Sequence, residues 1–395
     1  MMKPAIQELS DWVIEQGLAG TDLNTLVTGL CERMQAHGLP LWRVHVSMTT
    51  LHPSFSAFGC TWYRGSGAHI EHYTRGLDMQ ERWQQSPLRK MVDENVLRLR
   101  RRLIGPDAQL DFPLLIDFRD RGASDWLALL TRFGAAQPAI TLPGMISTWT
   151  TDRPDGFTDQ ELSLIERLAP RLALACYRIT LQEVAEGLLD AYVGADAGRH
   201  ILGGQIVRGA TQELSAALFL ADLRGFTRAA DSLPGRDLLA MLNDRLGAIT
   251  DAIEARGGQV LKFLGDGLLA VFDLEGRPVE AVCGDALDAA EDAQAANAVL
   301  QRLHGPAEDS ALDLDIALHL GDLLYGNVGS ERRLDFTVIG PAVNEVSRIE
   351  ALCEPLGQPL LLSEHFAHAC GREVVSVGEH QLRGVAQAQE LFTLG

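Results

Sequence analysis

Two aspartates and one lysine open the question of what this chain does. Asp266 sits between two glycines in QVLKFLGDGLLAVF, residues 259–272. Lys262 lies four residues earlier, among apolar neighbours. The pattern reads as strand, tight turn, strand. A lysine in an apolar strand is costly unless it has a partner. A carboxylate held in a Gly-Asp-Gly turn can be presented to a metal ion. Alone, the segment equally describes a glycine-rich β-turn. Asp222 in LFLADLRGFT, 44 residues upstream, adds a second carboxylate at the end of a strand. On neighbouring strands, Asp222 and Asp266 would point at one edge and could hold two divalent cations, an arrangement suited to activating one oxygen and stabilising another. The N–H groups of Gly225, Phe226 and Thr227 open a helix and offer a phosphate cradle. A solvated strand-end aspartate is the plainer reading of Asp222 taken by itself.

Further along, DFTVIGPAVNEVSRIE spans Asp335–Glu350. Pro341 opens a helix on which Asn344 and Arg348 share one face. An amide and a guanidinium projecting together suit an anionic transition state. The alternative is that Asn344 caps the helix and Arg348 pairs with Glu345 or Glu350. Arg383 precedes a glycine in QLRGV and by itself reads as a surface arginine.

The elements that must position these groups follow from patterning. A strand (ALFLADL) leads into a helix near Phe226. A helix over 236–256 stops at Gly257-Gly258. The hairpin, a helix over 279–303, a strand pair (LDIALHLGDLLYGNVG and LDFTVIG), a helix and closing strands complete an α+β unit with a mixed sheet. Upstream, residues 5–37 read as two helices, 41–63 as strands and 70–103 as mostly helical. FPLLIDF, DWLALLT and MISTWTT read as three strands. Thr158 and Glu161 form a capping box for a long helix that Pro170 should bend or restart. On it Ile165, Leu168, Leu172, Ala175 and Ile179 make a 3-4 stripe that suits pairing with a second copy, or packing on its own domain. Residues 190–215 are rich in Gly and Ala and read as a connector.

Taken together, FLADLRGFT, VLKFLGDG, DFTVIGPAVNEVSR and LRGV, in this order and spacing, resemble the class III nucleotidyl cyclases over residues 216–395. The resemblance implies a ferredoxin-like, palm-type catalytic domain. It implies that Asp222 and Asp266 bind metal (two Mg²⁺ or Mn²⁺ per site). It implies that Lys262 and Thr337 read the purine, that Asn344 and Arg348 orient the ribose and stabilise the transition state, and that Arg383 binds the triphosphate, where the family usually has lysine. Lysine can donate to adenine N1, whereas guanine presents a donor there. The implied reaction is therefore ATP to 3′,5′-cyclic AMP and pyrophosphate. Thr337 departs from the aspartate of many adenylyl cyclases and is similar to a bacterial subgroup with threonine, some of which respond to bicarbonate. The family's site is shared across a head-to-tail dimer, so a homodimer would hold two complete sites. The alternatives are a catalytically weak or dead cyclase-like scaffold and a relaxed-specificity guanylate cyclase. FLGDG in place of a GG[DE]EF-type turn argues against a cyclic-dinucleotide enzyme, and the lack of GxxxxGK[ST] excludes a P-loop NTPase.

Residues 1–180 are expected to form a GAF-like α/β regulatory domain able to take a small-molecule ligand, and residues 181–215 a helical connector or transducer. The basic run LRLRRRL, Leu97–Leu103, reads as a salt-bridged helix face. His45, His52, His69 and His72 lack metal-ligand spacing. Composition sets the remaining bounds. The 395 residues suggest two domains. A net charge of −19 argues against general nucleic-acid binding. The six cysteines form no CxxC pair, as expected of reduced thiols. The N-terminus does not read as a signal peptide, and the uncharged run 134–151 contains two prolines and cannot be a membrane span. A cytoplasmic protein is expected.

Overall fold

A computed structural model describes residues 2–133, 144–304, 312–385 and 387–395. The chain divides into two compact units, Met1–Ala191 and Tyr192–Gly395. Among the described residues no helix is long and apolar enough to cross a membrane. All six cysteines are free and buried. Part of the uncharged run, residues 134–143, lies outside the described residues.

The first unit begins with α1 (Met2–Ala19) and α2 (Leu23–Ala36), then β1 (Arg43–Thr49), β2 (Phe55–Tyr63) and β3 (Gly67–Thr74). It continues through α3 (Leu77–Gln84), α4 (Pro87–Asp93), β4 (Arg98–Arg102), α5 (Pro113–Asp120), β5 (Asp125–Arg132) and β6 (Gly144–Thr151). Helix α6 spans Asp159–Val193. The strands form one antiparallel sheet in the order β3-β2-β1-β6-β5-β4. Residues of α1, α2 and α6 share one core with Val44, Val46, Trp62, Leu127 and Trp149 of the sheet. A second core joins Met91 of α4 and Leu115 and Phe118 of α5 to Trp126, Ala128 and Ile146.

The capping box starts α6 as read from sequence. The Thr158 amide donates to Glu161 Oε2 at 2.8 Å, and the Glu161 amide donates to Thr158 Oγ1 at 3.3 Å. The helix continues through Pro170 without a restart. Three expectations are corrected here. FPLLIDF is a helix, because Pro113 occupies the first helical turn and Leu115 and Phe118, three apart, supply the buried face. LRLRRRL contains strand β4, and its arginines pair with acids: Arg98 with Glu166, Arg100 and Arg102 with Asp125, Arg101 with Asp111. The stripe Ile165, Leu168, Leu172, Ala175 and Ile179 is buried within its own unit. Burying each large side chain there contributes about 1.5–3 kcal/mol, so the stripe is already occupied and does not face a second copy.

His45 of β1 is buried, and its Nδ1 lies 2.8 Å from Thr61 Oγ1. Burial, with Arg43 and His69 nearby, pushes its pKa down to about 3. The unfolded chain takes up this proton near pH 6.5 and the folded chain does not. The stabilising effect is therefore complete above pH 6.5 and is lost as pH falls towards 3. All six tryptophans lie in residues 1–149, so their fluorescence reports on this unit. Lowering the pH from 6.5 to 5 is expected to cost the wild type about 2 kcal/mol through this residue. His45→Gln should flatten that limb in urea unfolding followed by tryptophan fluorescence. An unchanged slope would refute the assignment.

The second unit opens with α7 (Ala195–Leu202), in the stretch expected to be a connector, followed by β7 (Thr211–Arg224). Then come α8 (Phe226–Ser232), α9 (Gly235–Ala255), β8 (Gln259–Leu264), β9 (Gly267–Asp273) and α10 (Val279–His304). β10 (Asp313–Gly329), β11 (Leu334–Ile339), α11 (Pro341–Glu350), α12 (Cys353–Leu356), β12 (Leu360–Ser363), α13 (Glu364–Ala369), β13 (Val374–His380) and β14 (Gln389–Leu394) follow. The sheet runs β13-β14-β12-β10-β7-β9-β8, with β11 paired to β10. Buried residues of α9, α10 and α13 pack on one face and those of α7 and α11 on the other. The mixed α+β architecture agrees with the sequence reading, and it places β7 in the middle of the sheet with its C-terminal end beside the β8–β9 hairpin.

Candidate active site

The two aspartates meet because β7 and β9 are antiparallel neighbours, with Ala221 opposite Leu268. Asp222 is the next residue on β7, and Asp266 lies in the turn just before β9. The two glycines of the turn serve different needs. Gly265 has φ +78, which favours glycine. A Cβ on Gly267 would collide with the Ala221 carbonyl and lie 2.8 Å from Asp222 Oδ1. The missing side chain is what lets the hairpin sit against β7. Gly225, with φ +91, turns the chain from β7 into α8.

Asp222 and Asp266 line a cleft of about 220 Å³ together with Gly225, Phe226, Thr227, Arg224, Asp315, Glu350 and Glu354. Burial, then the charges of Asp266 and Asp315, hold the Asp222 carboxyl above its ordinary pKa. Burial and then Asp222, Asp315 and Asp266 push Glu350 up to about 7, against the pull of Arg224. Arg224 is already engaged by Asp315, through Nε to Oδ2 at 2.9 Å and a second bond from Nη2 to Oδ1. The cleft thus holds more negative charge than its own residues neutralise, which is the environment a divalent cation corrects. Among the described residues no three His, Cys, Asp or Glu side chains form a finished cage. Two carboxylates completed by substrate oxygens fit Mg²⁺, which binds in that way.

Lys262 and Thr337 come together on a different part of the unit. Lys262 Nζ lies 3.3 Å from Thr337 Oγ1 and 3.0 Å from Asp335 Oδ2. The awkward lysine therefore has two partners, and it is half-buried beside a buried threonine. Neither Lys262 nor Thr337 lines the acidic cleft.

Asn344 and Arg348 lie on α11, whose first residue is Pro341 and whose N-cap is Gly340. Asn344 is therefore not the cap. Among the described residues neither its side chain nor that of Arg348 makes a hydrogen bond or ion pair, so the pairing of Arg348 with Glu345 or Glu350 is not seen. A Cβ on Gly384 would lie 3.7 Å from Arg348 Nη2, which puts this guanidinium beside the turn that carries exposed Arg383.

Three acids escaped the sequence reading. Asp335 stands two residues before Thr337, on the same face of β11, and that period-2 spacing was a usable signal. Asp315 stands opposite Asp222 in the β7–β10 register, a pairing no local pattern reveals. Glu350 reaches the cleft from the last residue of α11.

Residues 210–394 match the family of adenylate and guanylate cyclase catalytic domains. This segment is a class III nucleotidyl cyclase catalytic domain. An adenylate cyclase of Anabaena cylindrica is 30% identical to the chain over 161 residues, 40% of this chain and 31% of that protein. A terminal-differentiation-specific adenylate cyclase of Dictyostelium discoideum is 26% identical over 164 residues, 40% of this chain and 7% of that protein. The solved structure of a bacterial light-regulated adenylyl cyclase is 27% identical, with a TM-score of 0.41 over 47% of this chain and 91% of that one. The chain spans less than half the length of the curated relatives it matches first. The family includes cyclases for both purine nucleotides, so the cyclase domain's own residues must decide the base.

Proposed function

We propose that the chain is an adenylate cyclase that converts ATP to 3′,5′-cyclic AMP and pyrophosphate. The observation that carries this reading is the contact of Lys262 Nζ with Thr337 Oγ1 at 3.3 Å. An ammonium donates to the N1 acceptor of adenine and meets a donor at N1 of guanine. The Thr337 hydroxyl accepts from the adenine amino group. Asp335 holds the ammonium from the other side and so fixes its direction.

Asn344 orients the ribose and Arg348 donates to the charge that develops on the α-phosphate. Arg383 and the amides of Gly225, Phe226 and Thr227 bind phosphate oxygens. The 3′-oxygen attacks the α-phosphorus in line. Its proton leaves, a new P–O bond forms, and the bond to the bridging oxygen of the pyrophosphate breaks. Asp222 and Asp266 would hold Mg²⁺ or Mn²⁺, two per site, which when bound would make the 3′-hydroxyl easier to deprotonate and offset the phosphate charge.

We read the working form as a homodimer. The acidic cleft and the Lys262–Thr337 pair are separate half-sites, and exposed apolar groups flank the latter. Phe263, Leu264 and Ile339 are 56%, 45% and 41% exposed, a surface suited to a second copy. The first unit is read as a GAF-like sensory domain, and the setting as cytoplasmic. Helix α7 offers a route for regulation. Its His200 ring stacks on Phe336 at 5.5 Å, and Phe336 lies between Asp335 and Thr337 on β11.

Exchange of the purine contacts tests the assignment. Lys262→Glu with Thr337→Cys is expected to raise the ratio of GTP to ATP in kcat/KM by at least about tenfold, since a carboxylate accepts from guanine N1–H. An unchanged ratio in a variant that still turns over nucleotide would refute these contacts.

A further inference from the structure

The first unit contains two buried hydrogen-bonding groups that no described residue satisfies, on one face with an arginine that has no carboxylate partner among the described residues. Thr150 of β6 stands opposite Arg43 of β1 on one side and opposite Trp126 of β5 on the other. The three side chains therefore share one face, with Thr150 in the middle at about 5 Å from each neighbour at Cβ and Arg43 and Trp126 about 10 Å apart across it. Thr150 and Trp126 are both 0% exposed. Among the described residues neither Thr150 Oγ1 nor Trp126 Nε1 has a hydrogen-bond partner. A buried donor left in this state is costly, and native structures normally give it a partner.

Arg43 completes the group. Its guanidinium contacts only neutral oxygens among the described residues: Tyr63 Oη at 3.2 Å, Thr148 Oγ1 at 3.2 Å and Thr61 Oγ1 at 3.5 Å. The four arginines of β4 in the same sheet each have a carboxylate partner. Arg43 is half-buried and has none among the described residues. A guanidinium fork on the same sheet face as an indole N–H and a hydroxyl offers the kind of donors that the two oxygens of a planar oxyanion take up. Apolar groups border it. The Phe118 ring centroid lies 5.0 Å from the Arg43 guanidinium carbon, and Ile146 is buried on the same face.

We propose that this face of the first unit binds a small carboxylate-type oxyanion, with Arg43, Thr150 and Trp126 as its donors. The negative charge compensates Arg43, and the two oxygens take up the Trp126 and Thr150 donors. The site is independent of the cyclase chemistry and is tested by binding.

The test is thermal unfolding of the full chain followed by tryptophan fluorescence, which reports on the first unit alone. Sodium acetate, sodium benzoate and sodium bicarbonate are compared with sodium chloride at equal ionic strength. At least one is expected to raise the Tm above chloride in a concentration-dependent way. Acetate or benzoate would assign an organic carboxylate, and bicarbonate alone the inorganic oxyanion. Arg43→Lys and Thr150→Val are each expected to weaken the response about tenfold or more, because each removes a directed donor. Thr150→Ser keeps the hydroxyl and should retain it, which separates loss of the donor from loss of the fold. A wild type that responds to none of the three beyond chloride would overturn the proposal and leave buried water as the partner of these donors. A response of equal size in wild type, Arg43→Lys and Thr150→Val would overturn it too.

Discussion

Asp222→Ala and Lys262→Ala are each expected to be nearly inactive alone, and to recover activity when mixed. Asp222 and Asp266 line one cleft, whereas Lys262 faces Asp335 and Thr337. If each complete site joins the cleft of one protomer to the purine pair of the other, a mixed dimer keeps one intact site and places both lesions in the second. Random exchange makes half of the dimers mixed, so the mixture should reach about a quarter of wild-type activity. The measurement is cyclic nucleotide formation after co-refolding or co-expression, with heterodimers confirmed by differential tags. Heterodimers without activity would refute the shared site and would leave the purine contacts standing, since those are tested by the Lys262 and Thr337 exchange.

Arg348→Ala should lower kcat on the order of 10²–10³-fold, with a small change in KM. Arg348 has no ion-pair partner among the described residues and lies beside the turn that carries Arg383, so its charge is available to the substrate. A donor used only as charge develops on the α-phosphate acts on kcat. Arg348→Lys keeps the charge and loses the fork, and should fall between wild type and Arg348→Ala. A large rise in KM with unchanged kcat would instead make Arg348 a residue for ground-state binding.

Much of the second unit could be read from the chain because local and global signals agree there. Alternating strands, a Gly-Gly helix stop and Pro341 at a helix start all act over a few residues, and the structure follows them. Lys262 was a conspicuous cost in an apolar strand, and its partner Thr337 came from the order of the motifs. Asp315 was not legible, because its place opposite Asp222 depends on the register of strands that bring together residues far apart in the chain. The first unit shows the opposite balance. FPLLIDF has enough apolar residues for a strand, and only Pro113 signals a helix. Four arginines in LRLRRRL satisfy helix and strand patterns equally until Asp125 and Asp111 are seen to pair with them. The stripe on α6 gives the right helix and the wrong occupant, since a 3-4 spacing looks the same against a second copy and against the helix's own sheet.

ATP turnover by this chain is the central claim. The most direct measurement is cyclic nucleotide formation by the purified full chain with ATP or GTP, in Mg²⁺ or Mn²⁺, beside Asp222→Ala as a control. Formation of cyclic AMP from ATP, faster than cyclic GMP from GTP and lost in Asp222→Ala, is the predicted result. Cyclic GMP as the main product would contradict the role given to Lys262 and Thr337. No product from either nucleotide with either metal, in protein that is folded and dimeric, would contradict the enzyme and favour a cyclase-like scaffold.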